Sequence, residues 1–322
     1  MTMLPKVFID GHTGTTGLRI HQWMAGREDI ELLTLPEELR RNAEERRGQI
    51  EDADVAILCL PDDAAEEVAR WVAETDTRLI DASTAHRVAD GWSYGLPELE
   101  PSQRGAIQEA KLVTNPGCYP TGFILLVRPL IDAGLLPADA PISINALSGY
   151  SGGGNSLISK WENPENELDG LPFEAPYALY QRHKHIPEMM KYAGVAAEPQ
   201  FLPSVGPFRC GMRVQVPIHA SLLRDGATGE QVWETLYDRY QGEKFVDVAH
   251  LQEPGALNEK SFDPESCNDS NRIELHVAPH PSGHVLLVAL LDNLGKGACG
   301  GAIQNLNLML GHEEEAGLPF RE

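Results

Sequence analysis

The sequence predicts an α/β protein with two domains: a doubly wound parallel-sheet domain and an inserted α+β domain. Three patterns support this prediction. Apolar strands alternate with helical segments up to about residue 117, strands of mixed polarity dominate the middle of the chain, and an apolar helix pattern lies near its end. A chain of 322 residues is also longer than one small core usually organises.

The first domain is predicted from short strands that are almost wholly apolar. We expect strands at residues 6–10, 30–35, 54–60, 78–81 and 111–113, with helices between them, for example at residues 63–74. Strands that are apolar throughout are covered on both faces, as in a parallel sheet with helices above and below. The alternation of strands and helices therefore predicts a doubly wound sheet.

The pattern changes after Pro137. Strands are expected at 142–147, 211–218, 273–277 and 284–291, and several alternate polar and apolar residues, which is typical of a sheet with one wetter face. We expect residues 1–117 to form the first domain and residues 118–296 to form the second, inserted domain. The Gly/Ala-rich helix pattern that starts at residue 297 is expected to return, with the tail to 322, to the first domain.

Composition argues against several classes of function. A net charge of −22 disfavours nucleic acid and anionic membranes as partners. No apolar stretch is long enough to span a membrane, and a strand pattern begins within a few residues of the N-terminus, so we expect no signal peptide. The five cysteines are scattered and never form a CxxC pair, so we expect no disulfide framework, no zinc cluster and a cytoplasmic location.

A glycine-rich turn lies between the first strand and the first helix. Gly11, Gly14 and Gly17 have the spacing GxxGxxG, which lets the main chain approach a pyrophosphate while the helix N-terminus donates N–H groups to it. Thr13 and Thr15 add hydroxyl donors. Glycines open many helices, so the motif alone is weak, but its place at the first strand-to-helix turn predicts a Rossmann-type dinucleotide site.

The residues after the second strand favour NADP over NAD. NAD sites usually carry an acidic residue at the end of this strand, where it bonds the ribose 2′-hydroxyl. Here the chain passes through Leu35 and Pro36 to Arg40, and a cation suits a 2′-phosphate. A solvated helix face would give the same pattern. Asn293, in the loop before the last helix, is a further candidate for cofactor binding.

Cys118 is the principal candidate for catalysis. It lies between a strand that ends at Val113 and a buried helical pattern that opens after Pro120. The N–H groups and the positive dipole end of a helix favour an anion in such a turn, and for a cysteine that anion is the nucleophilic thiolate. An isolated cysteine is more often a small buried hydrophobe, but this turn favours the nucleophile.

A second set of ionisable groups lies at residues 177–188 and includes His183 and His185. Histidine titrates near neutral pH, so it can take a thiol proton and return one to a developing alkoxide. The same run is compatible with a metal site or with a solvated basic turn. No ligand cluster is evident elsewhere in the sequence, so we expect no metal.

Polar side chains near these motifs are candidates for substrate binding, because cationic, hydroxyl and amide groups hold phosphate or carboxylate oxygens. The candidates are Asn115, Ser148, Arg182 and Lys184.

Several stretches of the sequence match one known family. They are the GxxGxxG turn and residues 81–87 (DASTAHR), 94–99 (YGLPEL), 115–122 (NPGCYPTG), 144–154, 183–188 (HKHIPE) and 292–298 (DNLGKGA). Together they resemble the N-acetyl-γ-glutamyl-phosphate reductases, and the PGCYPT run is highly specific to that family. Residues 206–212 (GPFRCGM) differ from the Pro-Arg-Gly-Ile of many relatives and are similar to the shorter, type 2 branch.

The resemblance implies an NADPH-dependent enzyme of arginine biosynthesis. In such an enzyme Cys118 attacks a small-molecule acyl phosphate, and the resulting thioester is reduced to N-acetylglutamate γ-semialdehyde. His183 or His185 would serve as the acid and base, and the resemblance does not decide between them. It also implies a homodimer or homotetramer formed through the second domain.

Alternatives from two classes stay open at this point. Another acyl-phosphate reductase would share the nucleotide turn and the cysteine, and it could be an aspartate-semialdehyde dehydrogenase or a reductase of carrier-linked aminoadipyl or glutamyl phosphate. A non-catalytic NADP-binding module would share the fold and bind the cofactor without any need for Cys118.

Overall fold

The computed structural model describes residues 3–166, 168–251, 256–258 and 260–319. The chain forms two compact units. One comprises the residues up to Gly117 together with those from Ala298 onward, and the other comprises Cys118–Gly297. Residues 1–2 and 320–322, which the sequence analysis assigns to the first domain, lie outside the described residues.

The first unit is built on a parallel sheet. Its strands are β1 (Lys6–Asp10), β2 (Glu31–Leu33), β3 (Val55–Leu58), β4 (Arg78–Asp81), β5 (Ser93–Tyr94) and β6 (Leu112–Thr114). The six strands lie in the order β2-β1-β3-β4-β6-β5, and all of their pairings are parallel. Because the order reverses at β1, a crevice opens outside the carboxyl ends of β1 and β3, where nucleotides bind in such sheets.

Helices connect these strands. They are α1 (Thr15–Met24), α2 (Ala43–Asp52), α3 (Asp62–Trp71), which continues as a 3₁₀ turn (Val72–Glu74), and α4 (Gln103–Glu109). Every residue of β3 is fully buried, as expected for a strand covered on both faces. The prediction of a doubly wound α/β domain is confirmed.

The second unit contains a seven-stranded mixed sheet. Its strands are β7 (Ser143–Gly149), β8 (Ala175–Pro176), β9 (Gln200–Gly206), β10 (Met212–Ile218), β11 (Val246–Val248), β12 (Ile273–Pro279) and β13 (Val285–Leu291). They lie in the order β11-β12-β13-β10-β7-β9-β8. Its helices are α5 (Cys118–Asp132), α6 (Gly154–Glu162), α7 (Ile186–Ala193) and α8 (Gly229–Tyr240), with 3₁₀ turns at Tyr150–Gly153, Ala220–Leu222 and Arg224–Gly226.

Helix α5 packs closely against the sheet of the second unit. A Cβ on Gly122 would lie only 3.0 Å from Val214 Cγ2 and 3.2 Å from Ala289 Cβ, so the missing side chain sets the helix-to-sheet distance. Pro129 lies inside the helix and has no N–H to donate to the carbonyl of Leu125. The Tyr240 hydroxyl of α8 donates to that carbonyl instead, at 2.8 Å. The helix is therefore held by both apolar and polar contacts.

The last helical elements along the described chain are a π-helical turn (Gly295–Cys299) and helix α9 (Gly300–Leu310). Buried side-chain amides bond α9 to other segments of the first unit. Asn305 donates to the carbonyl O of Gly95 at 2.9 Å and to Asn115 Oδ1 at 3.2 Å, and Gln304 donates to Glu98 Oε1 at 2.8 Å. These bonds satisfy polar groups that would otherwise be costly to bury.

The structure differs from the sequence predictions mainly at element ends. Strands at 6–10 and 78–81 are confirmed, whereas the strand predicted at 30–35 is shorter. The expectation that the helix opens after Pro120 is wrong, because α5 already begins at Cys118. Strand β9 is absent from the predictions because its sequence, QFLPSVG, contains a proline and polar residues. Among the described residues, no helix has the length and apolarity that a membrane span requires.

Candidate active site

The glycine-rich turn of the first unit leaves no room for a side chain at two of its three glycines. Gly11 has a φ of +89°, and a Cβ there would lie 2.3 Å from the carbonyl O of Cys59. A Cβ on Gly17 would lie 2.4 Å from the carbonyl O of Gly11. Gly14 is the N-cap of α1 and makes only an ordinary contact at 3.4 Å. Main chain thus packs on main chain, as a pyrophosphate-binding turn requires.

A cleft of about 450 Å³ opens beside this turn. It lies at the carboxyl ends of β1, β2 and β3, and its lining includes the glycine turn and three arginines: Arg40, Arg41 and Arg46. Asp10 is the one acidic side chain among the described lining residues. The cleft is therefore a cationic site in a strongly acidic chain.

The arginines of the cleft have different partners. Arg46 forms a buried ion pair with Asp10, with Nη2 at 2.8 Å from Oδ2 and Nε at 3.1 Å from both carboxylate oxygens. Arg40 donates to the Thr13 hydroxyl in the glycine turn. It also forms an ion pair with Glu37, whose side chain is largely exposed, with Arg40 Nη2 at 3.7 Å from Glu37 Oε1. Asp10 therefore compensates Arg46, while the charge of Arg40 lies against the glycine turn.

In the second unit, Cys118 is the first residue of α5 and is partly exposed. The first N–H groups of a helix have no partner within the helix, and they carry partial positive charge. A cysteine at this position is stabilised as the thiolate, the form that attacks carbonyl carbon. The first turn of α5 thus supplies an anion-stabilising environment for the Cys118 side chain.

Aromatic and imidazole rings cluster around the residue that follows Cys118. The ring of Tyr119 lies 5.9 Å from those of both His183 and His185, and the two histidine rings are 4.8 Å apart. Phe201, on β9, lies 5.1 Å from Tyr119 and 5.1 Å from His183. The structure therefore brings both predicted histidines to the N-terminal turn of α5.

A chain of hydrogen bonds runs through this cluster. His183 Nδ1 accepts the main-chain N–H of His185 at 3.1 Å, so in the neutral ring the proton resides on Nε2. That nitrogen lies 3.3 Å from the Tyr177 hydroxyl, which donates to the Tyr119 hydroxyl at 3.2 Å. Tyr119 donates onward to the carbonyl O of Ser204 at 3.4 Å. The bonding pattern assigns a single tautomer to neutral His183.

The two tyrosines remain protonated in this environment. Burial raises the pKa of both Tyr119 and Tyr177 well above the ordinary value, and the negative charge of a Cys118 thiolate adds to the shift. Both hydroxyls therefore serve as hydrogen-bond donors at physiological pH. No group of three or more His, Cys, Asp or Glu side chains in the described part of the chain could hold a metal ion.

Three of the other predicted site residues are buried and bonded within their own units. Asn115 donates to the carbonyl O of Ala298 at 2.8 Å, and the Ser148 hydroxyl donates to the carbonyl O of Gly149 at 3.0 Å. Asn293 Oδ1 accepts the Gly211 N–H at 2.8 Å, and its Nδ2 donates to Ser151 Oγ at 3.0 Å. Their predicted roles in binding substrate or cofactor stay predictions.

The two predicted cations lie at the surface. Arg182 forms an exposed ion pair with Glu198 at 2.8 Å, and Lys184 is exposed. Sequence reasoning missed Tyr119, Tyr177 and Phe201. Tyr119 and Tyr177 lie inside the motifs around Cys118 and His183, so their position in the sequence could have marked them as site residues. Nothing in the sequence connects Phe201 to the site.

The cysteines should differ strongly in reactivity. Burial raises the pKa of the Cys59 thiol to about 12, with Asp10 and Asp81 adding to the shift, and burial raises the pKa of Cys267 to about 11. Because the thiolate is the reactive form, we expect iodoacetamide at pH 8 to modify Cys118 in the native protein before either of them. Peptide mass mapping over time measures this order. Modification of Cys59 or Cys267 ahead of Cys118 in the folded protein would contradict it.

Two family models match the chain. The semialdehyde dehydrogenase NAD binding domain matches residues 35–107, and the semialdehyde dehydrogenase dimerisation domain matches residues 118–293. An aspartate semialdehyde dehydrogenase II from Vibrio cholerae, complexed with ASA, has a TM-score of 0.74 at 17% identity, over 96% of this chain and 99% of that one. An aspartate semialdehyde dehydrogenase with NADP from Candida albicans has a TM-score of 0.63 at 14% identity, with the same coverage. These structures share the fold.

Curated relatives match at much higher identity. N-acetyl-gamma-glutamyl-phosphate reductase of Trichormus variabilis is 48% identical over 98% of this chain and 99% of its own length. The enzyme of that name from Brucella suis is 50% identical over 96% of this chain and 100% of its own length, and that from Rhizobium meliloti is 49% identical over 96% and 99%. The chain therefore belongs to the N-acetyl-γ-glutamyl-phosphate reductase family of semialdehyde dehydrogenases.

Proposed function

We propose that the protein catalyses the NADPH-dependent reduction of N-acetyl-γ-glutamyl phosphate to N-acetylglutamate γ-semialdehyde, a step of arginine biosynthesis. The observation that carries the proposal is Cys118 at the N-terminus of the buried helix α5, followed directly by Tyr119. The Tyr119 hydroxyl accepts from Tyr177, whose hydroxyl is in turn bonded to His183 Nε2. Family membership supports the same reaction.

The first unit fits a dinucleotide. Gly11 and Gly17 allow a pyrophosphate to approach the main chain closely, and Thr13 and Thr15 offer hydroxyl groups. Arg40 and Arg41 line the cleft where a 2′-phosphate would lie. When bound, NADPH supplies the hydride that reduces the thioester. We accordingly assign cofactor binding to residues 1–117 with the returning C-terminal segment, and catalysis and oligomerisation to residues 118–296.

Cys118 begins the reaction as a nucleophile. Its thiolate attacks the carbonyl carbon of the acyl phosphate, the carbon–oxygen bond to phosphate breaks, and inorganic phosphate leaves with the electron pair. A thioester remains on Sγ. Main-chain N–H groups in the first turn of α5 are suited to stabilise the oxyanion that forms during attack, and each such donor contributes typically about 3 kcal/mol.

We assign proton transfer to His183. It accepts the thiol proton before attack and donates a proton to the hemithioacetal oxygen after reduction, then recovers it as the carbon–sulfur bond breaks and the aldehyde departs. In the neutral ring Nδ1 accepts the N–H of His185 and Nε2 carries the proton, so His183 takes the thiol proton when Nδ1 releases the His185 N–H. Tyr177 and Tyr119 bond to one another beside the ring. His185, at the N-cap of α7, then orients His183 rather than replacing it.

Polar groups of the second unit are available for the substrate's own charges. Arg182 and Lys184 are exposed cations on the same segment as His183, which suits them to the α-carboxylate. Ser148 and Asn115 remain candidates for the acyl phosphate and acetamido groups. Asn293 is bonded to Gly211 and Ser151 within the second unit, and we keep it as a candidate for cofactor binding.

We further propose a homodimer or homotetramer in the cytoplasm. The match of residues 118–293 to a dimerisation domain supports assembly through the second unit, where Leu202 of β9 is 41% exposed. A solution mass equal to one chain, measured by light scattering, would contradict the assembly.

The reaction is tested by NADP reduction with N-acetylglutamate γ-semialdehyde and phosphate. We expect turnover that depends on phosphate and that Cys118→Ser abolishes, because the serine hydroxyl is a poor nucleophile at neutral pH. His183→Asn should lower kcat by about 100-fold or more, as removal of a general acid–base does, and His185→Asn should lower it less.

The same assay separates the alternatives. Turnover of aspartate semialdehyde in place of the N-acetylated aldehyde would keep the chemistry and replace the substrate. Tight NADPH binding without turnover of either aldehyde would favour a carrier-linked substrate or a non-catalytic module, and it would remove the proposed reaction.

The choice of NADP is tested at the cleft. Arg40→Ala should raise the KM for NADPH by about 10- to 100-fold and leave that for NADH nearly unchanged, since a charged hydrogen bond contributes about 1.5–3 kcal/mol. Arg47→Ala is the control, because Arg47 is exposed and paired with Glu51 within α2. Equal losses with NADPH and NADH in Arg40→Ala would contradict a contact to the 2′-phosphate.

A further inference from the structure

Gly297 lies against the main chain and Cβ of Cys118. A Cβ built on Gly297 would lie 2.7 Å from Cys118 Cβ and 3.1 Å from Cys118 Cα, and the first distance is shorter than real Cβ contacts. The φ of Gly297 is outside the left-handed region, so its backbone conformation is open to any residue. The approach of Cys118 therefore accounts for glycine at this position.

Hydrogen bonds and close main-chain packing hold the turn that contains Gly297. The Gly297 N–H donates to the carbonyl O of Asp292 at 3.0 Å, the five-residue step of a π-helical turn. The fully buried Asp292 carboxylate accepts the N–H groups of Leu294 and Asp269, each at 2.9 Å. A Cβ on Gly295 would lie 2.2 Å from the carbonyl O of Ser270. The turn therefore has little freedom to move away from Cys118.

Cys118 is also restricted in its movement. It begins α5, in which Tyr119 through Val127 are all buried, and the helix meets the sheet at Gly122. Two well-packed elements thus meet at one cysteine. Single π-helical turns occur frequently at functional sites, where they place a residue that a regular helix would not.

We propose that Gly297 is a positioning residue for the Cys118 nucleophile. Its main chain packs on the Cα and Cβ of Cys118, limits movement of the first residue of α5, and so holds Sγ in one place for attack on the acyl carbon. This inference rests on the proposed function only in taking Cys118 as the nucleophile.

Gly297→Ala tests the inference. The added methyl group displaces Cys118, and a misplacement of about 1 Å can cost about 100-fold in rate. We expect kcat/KM to fall by about that factor, chiefly through kcat, and the rate of Cys118 alkylation by iodoacetamide to change at least tenfold. Alkylation needs no substrate, so it still tests positioning if the proposed reaction is wrong.

Two glycine variants serve as controls. A Cβ on Gly229 of α8 would lie 2.4 Å from Pro279 Cβ, so Gly229→Ala introduces a similar overlap in the same unit at a different contact. It should lower the thermal unfolding midpoint and leave Cys118 alkylation unchanged at 25 °C. Gly105→Ala in α4 meets nothing within 4 Å and should change neither property. An alkylation rate in Gly297→Ala within twofold of the wild type would overturn the inference.

A double-variant cycle covers the case in which Gly297→Ala does not fold. Cys118→Gly removes the Cβ that the new methyl group meets, so Cys118→Gly/Gly297→Ala should recover part of the stability that Gly297→Ala loses. Recovery of folding or of the unfolding midpoint supports direct contact between the two positions. Strictly additive effects, or a double variant that is equally unfolded, would contradict it.

Discussion

The placement of the Cys118 thiol depends on the burial of helix α5. Nine consecutive residues of this helix after Cys118 are buried, and Gly122 lets it approach the sheet to contact distance. Tyr240 satisfies the carbonyl that Pro129 leaves without a donor, so a proline in the helix does not expose a buried polar group. Because a close-packed interior does not deform continuously, a helix held in this way fixes its first residue as well. The N-terminal end of the same helix carries partial positive charge, so one element both places Cys118 and supplies a field that favours an anion there.

Local charge, and not the net charge of −22, decides what the first unit can bind. Three arginines converge on one cleft, and the buried carboxylate of Asp10 compensates Arg46. Arg40 bonds to Thr13 in the glycine turn, which places a positive charge beside the N-terminus of α1. Helix dipole and guanidinium act in the same direction, since both favour phosphate oxygens.

The sequence predicted features that local pattern determines and missed those that depend on close approach. Strand β1 was predicted with correct bounds because its apolar residues are continuous, and Cys118 was singled out because its turn has recognisable chemistry. Phe201 lies on β9, which was not predicted as a strand because it contains a proline and polar residues. Its contact with His183 depends on the pairing of β9 with β7. Gly297 lies in a motif that the sequence analysis noted, yet its contact with Cys118 depends on the packing of two distant segments. The hydrogen bonds of the Tyr177 hydroxyl likewise depend on the folded structure, because residue spacing does not show which groups a hydroxyl contacts.

The most direct test of the account is the mass of the enzyme trapped at the thioester. The protein is incubated with N-acetylglutamate γ-semialdehyde and NADP without phosphate, so that oxidation of the hemithioacetal proceeds and phosphorolysis does not. The account predicts an N-acetylglutamyl adduct, cleaved by hydroxylamine and located by peptide mapping on Cys118. It also predicts that added phosphate removes the adduct. An adduct on another residue, or NADPH formation with no adduct in the absence of phosphate, would contradict covalent catalysis by Cys118.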